Sequence, residues 1–104
     1  MDYEVMAAVK CLAQGEKAVL ATIVATSGST PRKAGAQVLF YPDGRLCGTI
    51  GGGCGEAEVR LHAFDVISSG EAALLKVKMN RESAEENGMI CGGTMEVFLE
   101  PVCG

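Results

Sequence analysis

Residues 46–68 read LCGTIGGGCGEAEVRLHAFDVIS and contain, in order, a short apolar run, three glycines and a longer segment with helical periodicity. The apolar run predicts a strand over 46–50. The segment after the glycines predicts a helix that Gly70 ends. Its apolar stripe is predicted to consist of Ala57, Leu61, Phe64 and Ile67. A strand that leads through glycines into a helix indicates a sheet with a helix packed against it.

The segment before this unit predicts a helix and a central strand. Apolar residues fall on one face of a helix over 2–14, with Asp2 at its N-cap and Gly15 at its end. The run 18–25 is almost wholly apolar and rich in β-branched residues, which is typical of a strand buried on both faces. We therefore expect 18–25 to lie centrally in the sheet.

Three further strands, at 37–41, 73–79 and 94–100, complete the predicted fold. The turn-forming residues 42–44 indicate that strands 37–41 and 46–50 form an antiparallel hairpin. The order of elements is αβββαββ. We predict an α/β fold, with α+β as the alternative, in which a single mixed β-sheet of about five strands carries two main helices and the whole chain forms one domain.

The composition limits the classes of protein to which the chain can belong. Hydrophobic residues make up 48% and charged residues 21% of the 104 residues, which excludes intrinsic disorder. The net charge of −4 argues against nucleic acid and anionic membranes as partners. No signal peptide or membrane-spanning stretch is visible, and the five cysteines include no CxxC pair. We therefore expect a cytoplasmic protein with reduced thiols.

Glycine is unusually frequent: 14 of the 104 residues are glycine, about 13%, where roughly 7% is usual. Eight of the glycines fall within residues 28–55, and Gly88, Gly92 and Gly93 form a second cluster. The window 28–55 also contains two more basic than acidic residues, although the chain as a whole is acidic. Any site for an anion is therefore expected in this window.

The glycines at 51–53 form the strongest candidate site. Glycine backbones can point consecutive N–H groups at one guest, and the helix start adds further N–H groups and partial positive charge, which suits phosphate or another anion. The stretch is not a known nucleotide motif, because Glu56 stands at the last glycine of GxGxxG and Cys54 stands where the P-loop lysine would follow. A tight turn that binds nothing is the alternative.

Cys54 is the cysteine with the strongest functional setting, because the pKa of a thiol is expected to fall near a helix start. As a thiolate it could be a soft metal ligand, a sulfur carrier or a nucleophile. The alternative is a small buried apolar side chain. Cys91 also has glycine neighbours but no helix start, and structural or incidental roles are expected for Cys11, Cys47 and Cys103.

The loop 29–33 adds two hydroxyls and two cations, a combination that suits a phosphate but is also found in ordinary solvated loops. Glu56 favours the first turn of the following helix electrostatically, with a role as catalytic base as the alternative. His62 is the only histidine and lies with Glu58 and Asp65 at the spacing of a solvated helix face. A hydrolase triad is excluded on these grounds.

Three motifs, taken in order, resemble a known family. They read ATIVATSGSTPR at 21–32, GTIGGGCGE at 48–56 and GMICGGTMEVFLEP at 88–101. Together they are similar to the N-terminal domain of the xanthine dehydrogenase accessory proteins, the XdhC and CoxI family. The resemblance implies a non-enzymatic role in the maturation of molybdenum hydroxylases. Members bind molybdenum cofactor (molybdopterin) as cargo, take part in its sulfuration with a cysteine desulfurase, and pass it to the hydroxylase apoprotein.

The resemblance also implies which residues contact the cofactor, with Cys54 near the molybdenum or its terminal sulfur. The implied set is Ser29, Thr30, Arg32, Gly51, Gly52, Gly53, Cys54, Glu56, Cys91, Gly92 and Gly93. Family members usually continue into a Rossmann-like domain, and three possibilities stay open: this chain acts alone, with a separately encoded domain of that kind, or as a homo-oligomer. Two alternatives stay open: a thiol redox or sulfur-transfer protein that uses Cys54 and Cys91, and an assembly subunit without a ligand.

Overall fold

The computed structural model describes residues 2–30, 32–51, 53–78 and 92–104, with the backbone alone at positions 53 and 54. The described residues form two helices and five strands in the predicted order αβββαββ, which is confirmed. The elements are α1 (Tyr3–Lys10), β1 (Lys17–Ser27), β2 (Gln37–Phe40), β3 (Leu46–Gly48), α2 (Gly53–Ser69), β4 (Ala73–Lys78) and β5 (Thr94–Cys103).

The five strands form one sheet in the order β3-β2-β1-β5-β4, so β1 is central, as predicted. The predicted hairpin is also confirmed, because Val38 pairs with Gly48 and Phe40 with Leu46 in antiparallel register. All four pairings are antiparallel, so the sheet is not mixed in strand direction and the fold matches the α+β alternative. The reason is that α2 joins the two edge strands, β3 and β4, and crosses the whole sheet, so the strands that it connects are not neighbours.

Helix α2 packs on one face of the sheet through Val59, Ala63 and Val66, which are at most 3% exposed. The predicted stripe of α2 was therefore wrong: Leu61 is 67% and Phe64 38% exposed, although Ile67 does pack against the core. Apolar residues occur on two sides of this helix at the same helical spacing, so periodicity alone does not choose between them. The smaller side chains face the sheet.

Helix α1 covers the opposite face over β2 and β3, where Val5 and Leu12 join a second, smaller core cluster. The predicted cap is confirmed, since the Asp2 carboxylate accepts a hydrogen bond from the Val5 N–H at 3.3 Å. The helix ends at Lys10 and not at residue 14, because the chain turns there and buries Leu12 between loop and sheet. Gly15 lies beyond it, in a turn with a φ of 83°.

The antiparallel order gives the sheet two distinct ends. At the end that we call the glycine end, β1 and β3 finish at Ser27 and Gly48, and β5 begins at Thr94. At the opposite end, called the hairpin end, Phe40 and Leu46 flank the turn between β2 and β3. The three sequence motifs all reach the glycine end, so the fold brings them to one side of the molecule.

Candidate functional site

The second glycine cluster packs directly on the loop that follows β1. The Gly92 N–H donates to the Ser29 carbonyl oxygen at 3.2 Å. A Cβ atom built on Gly93 would lie 2.6 Å from the Ser29 carbonyl oxygen and 2.7 Å from Thr30 Cγ2, far inside van der Waals contact. Position 93 therefore admits only glycine without a shift of the backbone, and two of the three motifs meet here.

The same loop is tied on its other side to the residue that follows β3. The Arg32 guanidinium donates from Nη1 to the Thr49 carbonyl oxygen at 2.8 Å. The Thr30 hydroxyl donates to the Arg32 carbonyl oxygen at 2.9 Å, which closes the loop around its own backbone. The motif at 48–56 is thereby brought to the motif at 21–32, to which Arg32 belongs.

Thr49 organises the start of the glycine turn. Its Oγ1 accepts the Gly51 N–H at 3.0 Å and donates to Glu56 Oε2 at 3.4 Å, with Glu56 in the first turn of α2. The sequence patterns assigned no role to Thr49, although it lies within one of the three motifs. The available signal was the hydroxyl two residues before a glycine, a spacing at which Ser and Thr side chains accept backbone N–H groups.

Two described amides of the predicted site are engaged within the protein, that of Gly51 with Thr49 and that of Gly92 with Ser29. Gly52 and Cys91 lie outside the described residues. Of Cys54 only its place in the first turn of α2 is described. The predicted contacts of the Gly51–Gly53 amides, Cys54 and Cys91 with a cofactor therefore stay predictions.

The three cations of the window 28–55 are divided between the two ends of the sheet. Arg32 and Lys33 lie in the loop at the glycine end. Arg45 lies at the hairpin end, where its Nε contacts Asp43 Oδ2 at 2.7 Å and its guanidinium lies 4.5 Å from the centre of the Tyr41 ring. Hydrogen bonds from the Arg45 backbone N–H and guanidinium hold the pKa of Asp43 below its ordinary value. Two of the three cations in the glycine-rich window are thus available to the candidate site.

A cleft of about 610 Å³ opens beside Arg32, between the start of α1 and the loop after β1. Asp2 and Tyr3 line one side, and Thr30 and residues 32–36 line the other. The Asp2 N–H donates to the side chain of Gln37 at 3.1 Å, which fixes the start of α1 against β2. The cleft therefore has one helical wall and one wall made of the cationic loop.

The comparisons with known proteins agree with the motifs. Residues 11–78 match the XdhC and CoxI family, and this match covers more than half of the chain. The chain belongs to the XdhC and CoxI family. It spans only part of its longer relatives, 15 to 27% of the curated sequences and 29% of a solved structure.

Three curated relatives and one crystal structure are similar to this family member. The uncharacterized protein YqeB of Escherichia coli (strain K12) is 40% identical over 80 residues, 77% of this chain and 15% of YqeB. The molybdenum cofactor insertion chaperone PaoD of the same strain is 43% identical over 63 residues, 61% of this chain and 20% of PaoD. A probable xanthine dehydrogenase subunit of Bacillus subtilis (strain 168) is 41% identical over 92 residues, 84% of this chain and 27% of that protein. A xanthine dehydrogenase structure from Bacillus halodurans matches 92% of this chain and 29% of its own with a TM-score of 0.75 and 29% identity.

His62 and Cys47, for which no role in the site is predicted, lie on α2 and β3 of this XdhC and CoxI domain. His62 is exposed on the outer side of α2, together with Glu58 and Asp65. Burial raises the pKa of the Cys47 thiol, and the nearby carboxylates of Glu4 and Asp2 raise it further. Within the described parts of the chain, no three histidine, cysteine or acidic side chains are grouped so that they could hold a metal ion. No helix in those parts is long and apolar enough to cross a membrane.

Proposed function

We propose that this domain carries molybdenum cofactor as cargo and assists its insertion into a molybdenum hydroxylase of the xanthine dehydrogenase type. The proposal makes the domain a carrier and not an enzyme. Family membership supports it, as does 43% identity to a protein named as a molybdenum cofactor insertion chaperone and 41% identity to a probable xanthine dehydrogenase subunit.

The observation that carries the proposal is the convergence of the three motifs on the loop that contains Arg32, at the glycine end. The cofactor is an anion with a phosphate, so a cation held in place by the fold is the group that it requires. Arg32 has five N–H donors, and its hydrogen bond to the Thr49 carbonyl oxygen uses one nitrogen. The guanidinium can thus be anchored by the protein and still bind a phosphate.

The other site residues take the following roles in this proposal. The loop with Ser29 and Thr30 and the glycines at 51–53 and 92–93 surround the cofactor closely because they have small or no side chains. Cys54 supplies a soft thiolate near the molybdenum or its terminal sulfur. Glu56 holds the Thr49 hydroxyl at the edge of the site.

The cargo role also implies partners. We propose a cysteine desulfurase that supplies the sulfur before insertion and a hydroxylase apoprotein that receives the loaded cofactor. A Rossmann-like domain, which the resemblance to the family implies, and further copies of this chain are also proposed as components of the working assembly. Pull-down with each purified partner tests these associations one at a time.

Cofactor retention by the purified protein tests the proposal. The protein is mixed with isolated molybdenum cofactor and passed through a desalting column, and molybdenum and pterin are measured in the protein fraction. Wild type is expected to retain both, Arg32→Met to retain roughly tenfold less because a charge-assisted hydrogen bond is lost, and Cys54→Ala to lose mainly molybdenum.

The matched control is Arg45→Met, which removes the same charge at the hairpin end and is expected to retain cofactor like wild type. Equal retention by the Arg32 and Arg45 variants would remove Arg32 from the site. Retention by wild type no greater than that of an unrelated acidic protein would show that the domain does not carry the cofactor.

A further inference from the structure

The cleft beside α1 is lined in part by Thr30 and Arg32. Both residues also belong to the loop on which the three motifs converge at the glycine end. Its volume of about 610 Å³ lies within the range of ~300 to 1,000 Å³ that small-molecule sites occupy. Asp2 and Tyr3, which form its helical wall, lie outside the three sequence motifs and were not predicted as site residues. The cleft is therefore an unassigned space of ligand size that adjoins the proposed site.

The charge of the cleft favours an anion. Arg32 and Lys33 line it, against one carboxylate, that of Asp2. Asp2 is occupied in capping α1, since its Oδ1 accepts the Val5 N–H at 3.3 Å. The net charge of the chain is −4, but in the cleft two adjacent cations face a single carboxylate, which already caps α1. The cleft is therefore locally positive.

The helical wall of the cleft offers an aromatic ring. Tyr3 is 83% exposed and belongs to neither core cluster, although it is a large side chain at the first position of α1. Across from it, Ala34, Gly35 and Ala36 leave room because their side chains are small or absent. An exposed ring that faces a space of this kind presents a flat surface on which a planar heteroaromatic group can stack.

We propose that this cleft binds a planar, anionic heterocycle, whose ring stacks on Tyr3 and whose negative group lies against Arg32 and Lys33. The inference rests on the proposed function, in which the ring is the pterin of the cargo and the negative group is the phosphate of the cargo. It extends the site from the glycine end to α1 and adds Tyr3 and Lys33 to the residues that contact ligand. Arg32 joins the two parts, because it lines the cleft and is anchored to Thr49.

Titration with pterin-6-carboxylate, an anionic and fluorescent pterin, tests the assignment on the full chain. Tyr3→Leu is expected to weaken binding roughly tenfold through the loss of stacking, and Tyr3→Phe, which keeps the ring, to bind like wild type. Lys33→Met is expected to weaken binding several-fold and to make it less sensitive to salt. Lys10→Met is the charge control, because Lys10 is exposed at the other end of α1. All three side chains are exposed, so folding should be preserved.

The assignment is wrong if wild type does not bind the probe, if Tyr3→Leu and Lys33→Met bind as tightly as wild type, or if Lys10→Met weakens binding as much as Lys33→Met. Retention of whole cofactor by the same variants separates this failure from failure of the proposed function. Retention that is unchanged in Tyr3→Leu and Lys33→Met overturns the cleft and leaves the carrier role intact. Absence of retention in wild type overturns the carrier role, while Tyr3-dependent probe binding would still support the cleft.

Discussion

Glycine has different structural roles in the hairpin turn and at the glycine end of the sheet. Gly44 in the hairpin turn and Gly48 at the end of β3 both have a φ near 90°, in the region that favours glycine. A Cβ on Gly44 would meet no atom within 4 Å, whereas one on Gly48 would lie 2.6 Å from the Gln37 carbonyl oxygen and 2.7 Å from Val5 Cγ2. In the hairpin turn, Gly44 supplies only a backbone conformation. At the glycine end, Gly48 and Gly93 also let chain segments touch, and the candidate site is built on those contacts.

Alanine substitution at Gly48 and Gly44 is expected to give the largest difference. Gly44→Ala should lower the free energy of unfolding by about 1 to 2 kcal/mol, the cost of a left-handed conformation. Gly48→Ala should add to this about 1 to 3 kcal/mol of overpacking against β2 and α1. Urea denaturation of both variants measures the difference. Equal losses would mean that the glycine end is no more tightly packed than the hairpin end.

A second pair of variants compares the stability effects of two neighbouring glycines within the glycine end. Gly93→Ala would place a Cβ against the carbonyl oxygens of Ser27 and Ser29 and should cost about 1 to 3 kcal/mol. Gly92→Ala meets no atom within 4 Å and has no positive φ, so it should unfold at nearly the wild-type urea concentration. A Gly92 variant as unstable as the Gly93 variant would contradict the close approach of the two loops.

Thr49→Val tests the hydroxyl that holds the glycine turn. Loss of its bonds to Gly51 and Glu56 should lower the free energy of unfolding by about 1 kcal/mol. The Gly51 amide should also exchange its hydrogen faster in solvent deuterium. Thr49→Ser keeps the hydroxyl and serves as the control. If the valine variant matches the serine variant in both measurements, Thr49 does not organise the turn.

Asp43→Asn at the hairpin end should have the smallest effect. The pKa of Asp43 is lowered from 3.8 by its bonds to Arg45, so the pair stabilises the fold above that pH and is lost as the pH falls through the folded-state pKa. Both side chains are exposed, and such pairs contribute little. Thermal unfolding at pH 7 should therefore be nearly unchanged and insensitive to salt. A large loss at pH 7 that disappears in acid would show a stronger pair.

The parts of the fold that sequence predicted are those that local interactions decide. The Asp2 cap joins residues three apart, and the hairpin turn follows from residues 42–44 alone. The face of α2 was wrong because two apolar stripes compete, and only the sheet decides that Val59 and not Leu61 is buried. The all-antiparallel sheet arises because α2 connects the two edge strands. No local sequence pattern predicts how many strands a helix crosses.

The site divides in the same way. The motifs predicted which segments matter, and the structure brings the described parts of all three to one end of the sheet. The role of the Thr49 hydroxyl was missed although its partners Gly51 and Glu56 are local, and only the bond from Arg32 to the Thr49 carbonyl oxygen joins residues 17 apart. The engagement of the Gly51 amide by Thr49 was likewise not visible from glycine content, which indicates freedom of the backbone but not what its N–H groups bind.

The pairing of β1 with β5 has a consequence for the order in which the molecule is made. Lys17 pairs with Cys103 and Ser27 with Thr94, so the centre of the sheet joins opposite thirds of the chain. Such distant pairings are slow to close because a long loop must be ordered first. During synthesis on the ribosome, the contacts of Gly92 and Gly93 with the loop after β1 cannot form until β5 has emerged and paired with β1. Under the proposed function, cargo is therefore loaded only after the centre of the sheet has formed.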